Sequence, residues 1–290
     1  LRFEVPQVRE FVLSLYREAL ETGSPGISID FCRYPEAIDT KETCDTFFRE
    51  LRTLADEFAA ARDEKISILT RFPARGVRKW QVFDYATWAR EGWVDYLCPS
   101  NIQGRFHYFD VTPYMSAVED TDCLLLPQID ALSWGLKVPG LFLWRVAQLY
   151  DKGVKGIYIY QGDALIAHNP ETRRYTRSFS SSSGVKRFWE DDTRERPARS
   201  KGIYITGFNQ LPGYHSWERL HVWLEGVLMG ELEIYLDGKL INRYDGPPYM
   251  VGSQGHEGDK ALSKGEHELR IRARDGVGWL EQTFHIVSAG

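Results

Sequence analysis

The sequence predicts an α/β chain: a parallel, helix-covered sheet of the (β/α)8 TIM-type barrel class, followed by a small all-β unit. Three observations predict it. Runs of helical period alternate with short β-branched runs up to about residue 165. Polar residues follow the C-terminal ends of those β-branched runs, as at the mouth of a barrel. Beyond about residue 200 the apolar pattern switches to period two. With 290 residues, 43% of them hydrophobic, the chain can bury a sizeable core, divided between two domains.

The first helix is expected from Val8 to Leu20, where Val8, Phe11, Val12, Leu15 and Ala19 share one face and Gly23, Pro25 and Gly26 stop it. Ile27 to Phe31 then reads as a buried strand. The unit repeats with an amphipathic helix from Cys44 to Ala61 and a strand from Ile66 to Thr70. A shorter helix from Phe83 to Glu91, with Asp84 as its N-cap, leads to a strand from Val94 to Cys98 that Pro99 is expected to end. A modest helix from Pro113 to Val118 precedes the strand Cys123 to Leu126. An almost wholly apolar helix from Gly140 to Tyr150 precedes the strand Gly156 to Tyr160. Asp30, Arg71, Ser100 and Asn101, Gln128 and Asp130, and Gln161 follow the ends of these five strands. Neither G-x-G-x-x-G nor a Walker A motif stands at the first turn, which weakens a doubly wound nucleotide-binding sheet.

Five strands are three short of a closed barrel, so the chain is expected to be the C-terminal part of a longer enzyme. Its missing partner is the N-terminal part of the barrel. The barrel part is expected over 1–175 and a Ser-rich, charged linker over 176–200. A β-sandwich is expected over 201–290, with turns at Asp237-Gly238 and Asp275-Gly276.

Thirty-six Lys and Arg against 41 Asp and Glu give a net charge of −5, which offers no footprint for nucleic acid or an anionic membrane. No apolar run reaches the ~20 residues of a membrane helix, and no targeting signal is read at Leu1-Arg2-Phe3-Glu4. Cys32, Cys44, Cys98 and Cys123 are far apart, without a C-x-x-C, so neither a zinc site nor a disulfide scaffold is expected. The seven His residues include no H-x-H or H-E-x-x-H, and no G-x-S-x-G elbow is present. No metal and no cofactor are expected.

Val5-Pro6-Gln7-Val8-Arg9, followed by Gly26-Ile27-Ser28-Ile29-Asp30-Phe31-Cys32-Arg33-Tyr34-Pro35, resembles the bacterial glycoside-hydrolase-like (β/α)8 families known as family 10-like hypothetical glycosyl hydrolases. Thr87 to Tyr96 and Gly153 to Gln161 look like the same group. The resemblance covers residues 1 to about 165. It implies that the chain holds strands four to eight of the barrel, that Asp30 closes strand four, and that the substrate is a poly- or oligosaccharide. Asp237-Gly238-Lys239, Pro247-Pro248-Tyr249 and Gly265 to Gly278 are similar to bacterial Ig-like modules of secreted carbohydrate-active enzymes. That resemblance implies an accessory domain and an extracellular or periplasmic setting.

Hydrolysis of an O-glycosidic bond needs two carboxyl groups across it. Asp30 is the first candidate, because in its strand Ser28 and Asp30 share the face opposite Ile29 and Phe31. Its bland alternative is a structural carboxylate paired with Arg33 or Arg71. Asp130 is the second candidate, at a strand end where the resembling families often carry an acid; Glu36 and Asp163 are rivals, and a helix N-cap is its bland alternative. Arg33 and Arg71 have the forked donors that clamp hydroxyl pairs, carboxylates or sulfates. Trp134 is the tryptophan placed in a sugar subsite, with Tyr34, Asn101, His107, Gln128 and Gln161 as further substrate-binding candidates. The enzymatic reading has two rivals. One is a catalytically silent carbohydrate-binding or scaffold protein on a degenerate barrel, the other a lyase or transglycosidase on the same frame.

Overall fold

The computed structural model describes residues 2–32, 37–75, 79–100, 109–130, 139–160, 162, 173, 176–195, 201–206, 220–225, 227, 230–246, 249–251 and 263–288, some of them, Asp130 included, by backbone alone. The chain divides into two compact units, Leu1–Ile129 with Leu149–Tyr160, and Asp130–Gln148 with Gln161–Gly290.

In the first unit α1 (Pro6–Glu21), β1 (Gly26–Asp30), α2 (Lys41–Arg62), β2 (Ser67–Pro73), a 3₁₀ turn at Trp80–Val82, α3 (Tyr85–Arg90), β3 (Tyr96–Ser100), α4 (Thr112–Val118) and β4 (Leu124–Leu125) follow one another. The helices stand where the periodicity places them, each a few residues longer or shorter. Pro6 opens α1, where its missing N–H costs nothing. Thr40 caps α2 by accepting from the Thr43 N–H, and Asp84 caps α3 by accepting from Thr87. β1, β2, β3 and β4 form one parallel sheet in that order.

Register and alternation give this sheet two faces. Ile27, Ile29, Phe31, Ile68 and Phe72 point to the helices, where Phe31, Phe47, Phe48, Phe72, Phe83 and Trp88 make an aromatic core with centroid spacings from 4.3 to 6.5 Å. Trp88 is fully buried and its Nε1 donates to Asp45 Oδ1 at 2.7 Å. The opposite face carries Ser28 and Asp30 from β1, Leu69 and Arg71 from β2, and Tyr96, Cys98 and Ser100 from β3.

Two strand expectations are corrected. β3 runs through Pro99 instead of ending there: the side on which Pro99 lacks an N–H faces β4, which ends at Leu125. The fourth strand is instead cut short at Pro127. Leu126 N donates to Leu97 O at 2.8 Å as the last ladder bond, and Pro127, with no N–H, offers only its carbonyl, which accepts from Tyr158 N at 3.1 Å. Beyond it β5 (Gln128–Asp130) pairs with β6 (Tyr158–Tyr160) as a separate two-stranded ladder. Gln128 and Asp130 therefore lie in a strand and not in a loop after one. α5 (Pro139–Asp151) crosses the boundary between the units.

In the second unit, α6 (Ser182–Glu195) occupies much of the stretch read from sequence as a linker; Gly184 N donates to Ser181 Oγ at its start and Val185 is buried. Then come β7 (Gly202–Thr206), β8 (Leu220–Glu225), β9 (Leu232–Leu236), β10 (Lys239–Tyr244), β11 (Met250–Val251), β12 (Gly265–Asp275) and β13 (Gly278–Ser288). They form two antiparallel sheets, β11-β8-β7 and β10-β9-β12-β13. Ile203, Val222 and Leu224 from one sheet and Leu232, Ile234, Leu269, Ile271 and Ala273 from the other share one core. Asp237 and Gly238 both take positive φ, as a two-residue hairpin between β9 and β10 requires. The β12–β13 turn is Gly276-Val277, with positive φ at Gly276.

Candidate active site

Five strands of the first unit send a side chain into one polar cluster. Asp30 closes β1, and its register partner Arg71 lies on β2 beside it. Arg71 Nη1 donates to both Asp30 oxygens, at 3.0 and 2.8 Å. Arg71 Nε donates to Gln128 Oε1 at 2.7 Å and lies 3.2 Å from Ser100 Oγ, reaching β5 and β3. The guanidinium sits over the Tyr160 ring of β6, 4.0 Å from its centroid. The cluster is assembled by register, since these residues are up to 130 positions apart in sequence; Asp30, Ser100 and Tyr160 close their strands, Arg71 lies within β2 and Gln128 opens β5.

Burial grades the cluster from inside to outside. The Arg71 side chain is 3% exposed and that of Asp30 46%, so the carboxylate stands at the surface with a buried cation behind it. Asp30 Oδ1 also accepts from Cys32 N at 2.8 Å, which fixes the carboxylate from the turn that follows β1. Burial opposes the charge of Arg71, but its anionic surroundings outweigh it and raise its pKa; at neutral pH the charge that does so is the hydrogen-bonded Asp30 carboxylate. Burial pushes the Cys32 thiol up to about 12 against the pull of Arg71, and burial likewise raises Cys98 and Tyr158. The thiols near Arg71 are therefore neutral and do not compete with Asp30 for it.

Of the residues singled out from sequence, the structure brings Asp30, Arg71 and Gln128 together. Arg71 uses its Nε and Nη1 donors inside the protein, on Asp30, Gln128 and Ser100. The backbone of Asp130 ends β5, and its side chain lies outside the described residues, as do Arg33, Tyr34, Asn101, His107, Trp134 and Gln161, and the rivals Glu36 and Asp163. Tyr160 was not singled out; its signal was the alternation of Tyr158 and Tyr160 in a short strand, which sets two rings on one face. Among the described residues no group of three or more His, Cys, Asp or Glu is placed to hold a metal ion, and no helix is long and apolar enough to cross a membrane. Chemically, the cluster presents an oriented, partly solvated carboxylate on a rigid sheet end. Such a group can accept hydrogen bonds from hydroxyls or attack an electrophilic carbon.

No family model matches the chain, and no curated protein matches it. Among solved structures it is similar to an endo-β-1,4-mannanase from Thermotoga petrophila, at 8% identity over 84% of this chain and 61% of that one, with a TM-score of 0.38. A chitinase from Bacillus thuringiensis shares 9% identity over 95% and 60%, with a TM-score of 0.39. A β-glucuronidase from Parabacteroides merdae shares 14% over 86% and 33%, with a TM-score of 0.28. The chain spans about three-fifths of the mannanase and the chitinase and one-third of the glucuronidase. At these TM-scores the likeness fixes neither fold nor activity.

Proposed function

We propose that the first unit is the catalytic part of a glycoside hydrolase built on part of a (β/α)8 barrel, cleaving O-glycosidic bonds of a poly- or oligosaccharide. Asp30 is one of its two carboxylates, and Asp130, the first residue of the second unit, is the partner proposed from the sequence pattern alone. The observation that carries the reading is the convergence of strand ends on Asp30: a half-exposed carboxylate held at both oxygens, supported from β2, β3, β5 and β6. Paired with Arg71, Asp30 suits the anionic role, nucleophile or stabiliser of an oxocarbenium-like transition state. The proton donor is then assigned to Asp130. Arg71 is a positioning residue, acting on the sugar only through Asp30. Arg33, Tyr34, Asn101, His107, Trp134 and Gln161 remain the proposed sugar contacts, and the second unit is proposed as an Ig-like accessory domain in an extracellular or periplasmic protein.

The same bonds favour a second reading. A carboxylate with both oxygens engaged by the protein also suits a silent carbohydrate-binding site, in which Asp30 accepts sugar hydroxyls. The two readings part on one experiment. Asp30→Asn keeps the side-chain volume and an oxygen acceptor, so it is expected to fold as the parent while reducing-end release across a panel of glycans falls by about 10³-fold or more. Undiminished release in Asp30→Asn refutes the catalytic assignment. Glycan binding by the parent chain without any release establishes the silent reading.

A further inference from the structure

Arg71 is held at its edges by hydrogen bonds and on its face by an aromatic ring. A guanidinium is planar, and all its donors lie in that plane. In the plane, Nε reaches Gln128 Oε1 at 2.7 Å and Ser100 Oγ at 3.2 Å, and Nη1 reaches both oxygens of Asp30. Hydrogen bonds set donor–acceptor distances and tolerate a broad range of angles, so these edge bonds alone leave the group free to tilt. A tilt of Nη1 carries Asp30 with it. The carboxylate is 46% exposed, and among the described residues its other hydrogen bond comes from Cys32 N.

The Tyr160 ring lies on that face, its centroid 4.0 Å from Arg71 Cζ, closer than any other arginine–ring pair among the described residues. The Arg71 side chain is 3% exposed, and the attraction between a cation and a ring grows as water leaves. Tyr160 arrives there through the β5–β6 ladder and not through the four-stranded sheet. Gln128 of β5 takes the edge of Arg71 and Tyr160 of β6 takes its face, so one ladder grips the cation from two directions. The bond from Tyr158 N to Pro127 O, at 3.1 Å, sets the offset between the two strands. Among the described residues the Tyr160 hydroxyl makes no hydrogen bond, so the grip belongs to the ring.

We propose that Tyr160 is a positioning residue of the site: its ring clamps the face of Arg71, and the clamped guanidinium presents the Asp30 carboxylate in one orientation. The catalytic consequence rests on the glycosidase reading of Asp30; the clamp itself does not. A carboxylate aimed within a narrow angle is worth more in the transition state than in the substrate complex. Loss of the clamp therefore falls on kcat and spares KM.

Variants of the full chain separate the ring from its hydroxyl and from plain bulk. Tyr160→Phe keeps the ring face, whereas Tyr160→Leu and Tyr160→Met keep apolar volume without it. The clamp is read from the Arg71 Nε–H resonance in a chain carrying isotope-labelled arginine, assigned by its loss in Arg71→Met. Bonded to Gln128 and shut from water, this proton should exchange slowly in the parent and in Tyr160→Phe, and about tenfold or more faster in the two ringless variants. Release of reducing ends from galactomannan, xylan, chito-oligosaccharides and polygalacturonate reads the consequence. On the glycan that the parent cleaves, Tyr160→Leu should lower kcat about tenfold or more with KM within about twofold, and Tyr160→Phe should keep most of the parent's kcat. A ring that only packs would lower the thermal midpoint without splitting kcat from KM. The proposal is overturned by unchanged exchange in both ringless variants, by faster exchange with kcat unchanged, by equal losses in Tyr160→Phe and Tyr160→Leu, or by unfolding of both ringless variants. A parent chain that releases nothing while exchange follows the expected order sinks the catalytic reading alone and leaves the clamp established.

Discussion

At the scale of the residue, Asp30 and Arg71 form one ion pair with unequal stakes. Arg71 is buried, and replacing it by Met removes the charged donor from the buried Gln128 oxygen and the cation from above Tyr160. Hydrogen bonds to charged groups contribute about 1.5–3 kcal/mol, so Arg71→Met should destabilise the first unit by about that amount. Asp30→Asn keeps an oxygen for Arg71, and the lost charge stood half in water, where an ion pair contributes about 1 kcal/mol or less. Urea denaturation followed by circular dichroism should therefore rank Arg71→Met as the less stable variant, while activity ranks Asp30→Asn as the more damaged. An Asp30→Asn midpoint below that of Arg71→Met would make Asp30 a structural residue first.

At the scale of the element, the end of α2 holds a local misfit that the sequence did not advertise. Asp63 takes the left-handed conformation at φ 54°, its N–H donating to Ala59 O. It also places a carboxylate at the negative end of a 22-residue helix. Glycine takes this conformation without steric cost, so Asp63→Gly should stabilise the first unit by up to about 1 kcal/mol. Asp63→Val should do the reverse; a thermal melt in which Gly lowers and Val raises the midpoint would show that Asp63 makes a contact worth more than its strain. What was legible at this scale is what depends on neighbours in sequence. The Asp84 cap, the period of α2 and the Asp237-Gly238 hairpin are all local patterns. The break at Pro127 was not legible, because whether a proline ends a strand or is tolerated, as at Pro99, depends on which side still has a partner strand. The strand after the Asp237-Gly238 turn is hard to read for a related reason. Its register shifts between Leu240 and Asn242, a bulge that breaks the period-two pattern. Within the site, Asp30, Arg71 and Gln128 were found by the strand-end rule, whereas Ser100 and Tyr160 join Arg71 through pairings that no local window contains.

At the scale of the whole molecule, all four cysteines belong to the first unit, three of them buried. Their thiols report on that unit alone. Burial raises each of them above its ordinary 9.0, to about 12 for Cys32 and Cys123. Folded, the thiols stay protonated and shielded at neutral pH; unfolded, they ionise near 9. The unfolded chain therefore releases protons first between pH 9 and about 12, and stability contributed by the protonated thiols is fully present below pH 9 and lost as pH rises through that window. The second unit holds no cysteine, so its fold does not share this cause of alkaline loss. Pulse labelling with iodoacetamide followed by mass analysis should find Cys44, Cys98 and Cys123 unmodified at pH 8 and modified together as pH passes 10. Trp88→Ala, which empties the aromatic core at a cost of about 3–5 kcal/mol, should bring that modification to lower pH. Ile271→Ala, in the core of the second unit, should leave it in place. Rapid labelling of Cys98 at pH 8 in the parent chain would mean that the strand ends around Arg71 open without unfolding, and the rigid carboxylate assigned to Asp30 would lose its support.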